Sequence, residues 1–221
     1  MTIEDPLQAK FEKLRAEVNA EGQPLSSSAR DKANQGALTR WRGKFFLPVK
    51  ILAIPWAQEV IDQVFFAGQW NLPVHPRSLD GVAGIFLSAF SHADFAHLIG
   101  NSIAFSIFSW LILAKSRKDY WTTVLLGWIG GGAACWLLGP TSAHGLSGVV
   151  YTLFGYLLAI GWLEKRFIPL LLSVFVLVNY SYFLLGAFPT EAGIAWWGHL
   201  FGFLLGMFSA YGVYREPGKS S

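Results

Sequence analysis

Charge is what this sequence has least of. Only 14% of its 221 residues are Asp, Glu, Lys or Arg, whereas 53% are hydrophobic and the mean hydropathy is +0.40. A soluble domain needs a charged, solvated surface, and this composition belongs instead to a chain whose solvent is a bilayer. Cysteine is nearly missing. The single Cys135 lies inside an apolar run, so no intrachain disulfide can form and nothing follows about a redox compartment. The opening residues Met1-Thr2-Ile3-Glu4-Asp5-Pro6 are acidic and have no apolar core, so they do not read as a signal peptide. No H-E-x-x-H occurs, which disfavours a zinc protease. No ten-residue segments alternate apolar with polar, which disfavours a membrane β-barrel. The net charge is +3 with a pI near 9.0. This basic excess is the ordinary one of cytoplasmic loops, not a nucleic-acid surface.

What is present is a series of uncharged apolar runs: 95–114, 121–139, 145–163, 167–188 and 192–214. Each is close to the ~20 residues that cross hydrocarbon as a helix. An earlier run, 45–66, carries Lys50, Glu59, Asp62, Pro48 and Pro55, and hydropathy alone leaves it doubtful. Charge topology decides. Lys115, Arg117 and Lys118 mark one connection as cytoplasmic; Lys165 and Arg166 mark another, and Arg215 and Lys219 mark the C-terminal tail. Connections 139–145 and 188–193 have no Lys or Arg. Arg40, Arg42 and Lys44 place the N-terminal flank inside as well, so an even number of crossings must join it to Lys115, and 45–66 supplies the second.

The expected fold is therefore all-α. It is a polytopic bundle of six transmembrane helices over 45–214, with both ends cytoplasmic, a tail over 215–221, and the long connection 67–94 outside. Residues 1–44 form a cytoplasmic segment. Leu7, Phe11, Leu14 and Val18 recur at helical spacing, Asp5 and Gln8 suit a capping box, Pro6 suits the first helical position, and Gly22 ends this short amphipathic helix. Residues 23–36, rich in Ser, Ala, Asn and charge, read as a linker.

Polar residues are costly in a bilayer and face the bundle interior or a cavity. Ser147, between Gly145 and Gly148, begins the fourth helix from outside. On the sixth, His199 lies roughly 8 Å down; on the second, His97 and Asn101 share a face at i and i+4, about 3 and 9 Å down. Three inward-running helices thus carry polar groups in one shallow layer. Gly198, Gly202 and Gly206 give the sixth helix a small-xxx-small face, and Gly148, Thr152, Gly155 and Ala159 give the fourth another. Close packing of the two brings Ser147 within reach of His199, a nucleophile beside its general base. His97, Asn101 and the Ser147 backbone N–H supply donors for an oxyanion. The plainer reading of His97 and Asn101 is interhelical hydrogen bonding, and of Tyr151, one turn below Ser147, packing. His92 ties down the outer connection. His144 competes for the role of base but is too close in sequence to Ser147 to reach it easily. No carboxylate or thiolate completes a metal set around the histidines, so neither metal nor cofactor is expected.

Three blocks resemble the rhomboid family of intramembrane serine proteases. Gly145-Leu146-Ser147-Gly148 is similar to its G-x-S-G. His92-Ala-Asp-Phe-Ala-His97-Leu-Ile-Gly-Asn101 is similar to its H-x-x-x-x-H-x-x-x-N. His199-Leu-Phe-Gly202-Phe-Leu-Leu-Gly206 is similar to its H-x-x-G-x-x-x-G. The resemblance implies a Ser147–His199 dyad, an oxyanion hole of His97, Asn101 and the Ser147 N–H, and Tyr151 stacked on His199. It implies hydrolysis of peptide bonds in or near transmembrane helices of single-span or multi-span substrates. The alternative is an inactive member that binds client helices, although such members typically lack the Ser or the His. Many members carry a Trp-Arg pair shortly before the His92 position, where this chain has Gly84-Ile85-Phe86-Leu87; the residue before the base, often Ala, is Gly198. Without a signal or transit segment, a bacterial inner membrane is the expected location, with the site opening to the outer side.

Overall fold

The computed structural model describes Lys10 and residues 27–189 and 193–215. Apart from the helical Lys10, the expected helix over 7–18 lies outside the described residues. The chain divides into two units, at Gly43/Lys44, and the packing below concerns the second.

Helix α1 runs Ser27–Phe65. Residues 27–36, expected as a linker, are therefore helical. Polarity suggested a linker, but alanine, lysine and glutamine are good helix formers, and polarity alone does not stop a helix. Pro48 and Pro55 lie inside α1 and each removes one i→i−4 hydrogen bond. Glu59 and Asp62, the charges that made this run doubtful, are fully buried. Gln63 Nε2 donates to Glu59 Oε1 at 2.9 Å, and the Trp70 N–H donates to Asp62 Oδ1 at 2.7 Å. These carboxylates face protein rather than lipid, a distinction that a hydropathy sum cannot make.

After α1 the chain forms α2, Gly84–Leu87, and a 3-10 turn, Ser88–Phe90. In place of a Trp-Arg pair, tryptophans of a later helix hold this connection. Trp128 Nε1 donates to the Phe86 carbonyl at 2.7 Å, and Trp136 Nε1 donates to the Ser78 carbonyl at 2.8 Å. Val74 and Ala143 pair as an isolated antiparallel bridge.

Helix α3 is Phe95–Lys115, capped by Asp94, whose carboxylate accepts the His97 N–H at 2.7 Å. Helix α4 is Arg117–Leu138. A π turn at Leu126–Gly130 interrupts it, and within that turn Gly127 packs directly on Thr152. Helix α5, Ser147–Glu164, is the centre of the bundle, with Leu153, Phe154, Tyr156 and Leu157 buried. It is also where the expected run over 145–163 becomes helical. The run 167–188 divides at Ser181 into α6, Phe167–Tyr180, and α7, Tyr182–Gly186. Helix α8 is Trp196–Tyr214, starting four residues into the expected run.

Helix α5 packs against α3, α6 and α8. Its contact with α8 is the largest, and it is close because a Cβ at Gly202 would run into the Gly148 carbonyl, one at Gly206 into the Thr152 carbonyl, and one at Gly155 into the Phe203 carbonyl. The first two pairs advance together along both helices, as does Ser147 with His199, so α5 and α8 are parallel. At the end opposite Ser147, Lys115 Nζ lies 3.2 Å from Asp119 Oδ2 and 2.6 Å from Glu164 Oε1, while the Tyr156 O–H donates to Asp119 at 2.7 Å.

The fold is all-helical, with no strand among the described residues. Three described helices, α3, α4 and α5, are long and apolar enough to cross a membrane. Helix α6 is apolar but shorter.

Candidate active site

Ser147 is the first residue of α5. Its own N–H therefore has no acceptor within the helix and lies at the positive end of the helix dipole. The preceding Gly145 has φ +119°, a backbone state that L side chains rarely adopt. A Cβ there would sit 3.1 Å from His97 Cε1 and 3.8 Å from Ser147 Oγ, filling the space between the two side chains.

Ser147 Oγ lies 2.9 Å from His199 Nε2. On the other side of the ring, His199 Nδ1 lies 2.9 Å from the Gly186 carbonyl. A carbonyl can only accept, so Nδ1 carries the hydrogen and Nε2 is left to accept from the Ser147 hydroxyl. Tyr151 stacks on the imidazole with ring centroids 4.2 Å apart and planes within 5°. Gly202 and Gly206 set the depth of His199 against α5, since both abut its backbone. Gly198, one residue before the base, has Cys135 Sγ as its neighbour and is not tightly packed.

His97 and Asn101 line the same cleft of about 520 Å³ as Ser147, Tyr151, His144 and His199. Asn101 is buried, and its Nδ2 has no hydrogen-bond partner among the described residues. Asn101 lines the cleft that Ser147 also lines, and a buried donor left unsatisfied there is a group that binding can complete. A smaller space of about 50 Å³ lies behind Ser147, lined by Gly131, Gly132, Cys135, Gly148 and Gly198.

His92 is fully buried before α3. Its Nε2 accepts the Leu146 N–H at 3.2 Å, which ties the outer connection to the residue preceding Ser147. Burial, and then the neighbouring His97, lowers its pKa to about 4, so it is neutral near pH 7. Protonating Nε2 would also set one N–H against another. His144 is likewise held below the usual histidine range by burial and then by His97. It lines the cleft, but the partner of Ser147 Oγ is His199. Among the described residues no three His, Cys, Asp or Glu side chains converge as a metal-ligand set.

Two contributors escaped the sequence reading. Asp94 was legible, because Asp ahead of an apolar helical run is an N-cap signal. Gly186 was not, because it contributes a backbone carbonyl that any residue type would carry.

The profile of the Rhomboid domain matches residues 80–216, more than half of the chain and all three motif blocks. The chain belongs to the rhomboid family. This rhomboid is thus an integral membrane protein. It is 30% identical over 171 residues to the uncharacterized protein Rv1337 of Mycobacterium tuberculosis, covering 72% of this chain and 71% of that protein. The uncharacterized protein Mb1372 of Mycobacterium bovis matches to the same extent. The uncharacterized protein ML1171 of Mycobacterium leprae is 31% identical over 183 residues, covering 78% of this chain and 72% of that protein.

Proposed function

We propose that this rhomboid is an intramembrane serine endopeptidase in which Ser147 is the nucleophile and His199 the general base. The observation that carries this reading is the line Ser147 Oγ, His199 Nε2, His199 Nδ1, Gly186 O, with 2.9 Å at both hydrogen bonds. A lone serine hydroxyl is a weak nucleophile at neutral pH, and a base in contact removes that limit. Ser147 Oγ attacks the substrate carbonyl as its proton passes to Nε2. The carbonyl oxygen becomes an oxyanion facing Asn101 Nδ2, His97 and the Ser147 N–H. As the C–N bond breaks, Nε2 returns the proton to the departing amine. Water then attacks the acyl-serine by the same route, with Nε2 taking its proton and returning it to Ser147. Tyr151 holds the ring plane, and Gly145 and Gly148 keep the approach open.

The reading extends to topology. Helices α1, α3, α4, α5, α6 with α7, and α8 are six crossings over 45–214, with 1–44 and 215–221 cytoplasmic and the cleft opening outward. A bacterial inner membrane suits this distribution. Substrates are membrane proteins with a transmembrane helix that unwinds locally, because a closed helix keeps its carbonyls in its own hydrogen bonds. An inactive, client-binding member is disfavoured by the presence of both Ser147 and His199.

The test uses purified protein in proteoliposomes with a single-span substrate and a fluorophosphonate probe. Ser147→Ala and His199→Ala should each abolish cleavage and labelling, and the double variant should be no worse than either single one. Removing His144 should leave most activity. Cleavage retained in Ser147→Ala would end the serine-protease reading; loss in His144→Ala with retention in His199→Ala would reassign the base. A reporter fused after Ser221 should be active only in the cytoplasm, and external activity would overturn the topology.

A further inference from the structure

At the end of the bundle opposite Ser147, α6 and α8 both pack on α5 but make few contacts with each other. Helix α6 is pinned at its start. Ser173 Oγ accepts the Gly161 N–H at 3.1 Å, and a Cβ on Gly161 would collide with the Pro169 carbonyl. Helix α8 is drawn to another side of α5 by its glycines. The divergence leaves a groove of about 500 Å³ lined by Leu158, Trp162, Leu177, Phe203, Met207 and Tyr211, with almost no polar surface.

The mouth of this groove is basic. Arg215 follows α8 directly, and its guanidinium lies 4.8 Å from the centroid of the Tyr211 ring that lines the groove. Lys165 caps α5 two residues beyond Leu163, in a left-handed turn at φ +53° with its side chain exposed. The α5–α6 turn and the end of α8 lie at the same end of the bundle, because α5 and α8 are parallel. The nearby carboxylate Glu164 is ion-paired to Lys115 at 2.6 Å, so it does not neutralise the mouth. Glu216 and Lys219 follow in sequence and lie outside the described residues. Trp162 and Tyr211, both partly exposed, supply the aromatic rim typical of a membrane–water boundary.

We propose that this groove holds an acyl chain of an anionic phospholipid, with the lipid phosphate bound between Arg215 and Lys165. An apolar slot with cations only at its boundary end matches a molecule that is charged at one end and hydrocarbon along the rest. Basic pockets between transmembrane helices bind anionic headgroups in this way. A second copy of the chain would bring its own basic mouth to the same place, and like charges disfavour it. The inference requires that the chain lie in a membrane and is independent of proteolysis.

The full chain, purified and delipidated, is titrated by native mass spectrometry with phosphatidylglycerol and with phosphatidylcholine of the same chains. Phosphatidylglycerol should bind at least tenfold more tightly. Lys165→Gln with Arg215→Gln should reduce it to the phosphatidylcholine level. Met207→Trp, which fills the groove, should weaken both lipids about tenfold; Ala159→Leu serves if that variant fails to fold. The soluble headgroup glycerophosphoglycerol should bind neither protein. Equal binding of the two lipids by the wild type, full lipid binding by the filled groove, or tight binding of the headgroup alone overturns the proposal. So does a dimer that replaces lipid adducts and is lost in Met207→Trp. Fluorophosphonate labelling of Ser147, at the opposite end, reports separately on the proteolytic reading.

Discussion

Replacing Gly202 with Ala adds one carbon atom at one of the close backbone contacts between α5 and α8, the one nearest the dyad. The added Cβ meets the Gly148 carbonyl, a backbone atom that cannot rotate away, and comes within 3.2 Å of Tyr151 Cβ. Restoring an ordinary contact of about 3.5–4 Å requires the helices to part by roughly 1.3–1.8 Å. Gly148 adjoins Ser147 and Gly202 lies one turn from His199, so most of that separation falls on the 2.9 Å hydrogen bond between them. At ~4 Å it no longer transfers a proton efficiently. A misplacement of this size costs about 100-fold in rate, and overpacking costs about 1–3 kcal/mol in stability. Two substitutions on the same helix serve as controls. At Gly198 the new Cβ would lie 3.5 Å from Cys135 Sγ, an ordinary contact, and at Gly212 it would meet nothing within 4 Å. Gly198→Ala and Gly212→Ala should therefore keep near-wild-type turnover, the latter with equal or slightly higher stability. The assay is substrate cleavage in proteoliposomes, normalised to folded protein by thermal unfolding. Gly202→Ala cleaving within threefold of wild type would refute the claim that this helix contact sets the dyad distance.

Other outcomes follow from the same geometry. Asn101→Ala should lower turnover about 10²–10³-fold with little change in KM or melting temperature, since the lost donor acts on the transition state; unchanged turnover per folded molecule would make Asn101 a packing residue. His92 has its folded pKa near 4, below the ordinary value near 6.5 that it regains on unfolding. Its contribution is therefore complete above about pH 6.5 and is lost as pH falls toward 4, by about 3 kcal/mol in total. Melting temperature measured across that window should fall less steeply in His92→Gln than in the wild type, and parallel slopes would contradict this. Lys115→Met removes a cation facing the buried Asp119 and should destabilise the fold by about 3–5 kcal/mol. Turnover per folded molecule should persist, and a selective loss of turnover at unchanged stability would show the opposite coupling.

The parts of this fold legible in the sequence are those where spacing alone carries the physics. Glycines at 198, 202 and 206 on one segment and small residues at 148, 152, 155 and 159 on another announce a close helix pair, and depth counting puts Ser147 and His199 in one layer. The start of α1 was obscured because a polar helix and a polar linker share a composition. The break at Ser181 was hidden because Tyr180-Ser181-Tyr182 leaves the run apolar on both sides. The π turn in α4 has no sequence signature beyond its glycines. Hydropathy treated Glu59 and Asp62 as liabilities, because their hydrogen-bond partners, Gln63 and the Trp70 N–H, are known only from the fold. The proposed six-crossing topology rests on Lys and Arg placement, since hydropathy alone marks only α3, α4 and α5 as long enough among the described residues.

His199 owes its orientation to a neutral peptide carbonyl on α7, a five-residue helix set off from α6 by the break at Ser181. A carboxylate in that place would offset imidazolium charge wherever the chain moved; a carbonyl does so only while its backbone stays in register. Outward movement of α7 by an ångström or so would free the ring to turn, and Ser147 would lose its proton acceptor. In the proposed mechanism, chemistry at Ser147 therefore requires Gly186 to be in register with the ring. The Nδ1 proton resonance of His199 is the gauge of this dependence. It should broaden or vanish when α7 is held open by an engineered cross-link, and an unchanged resonance would show that the ring keeps its orientation without Gly186.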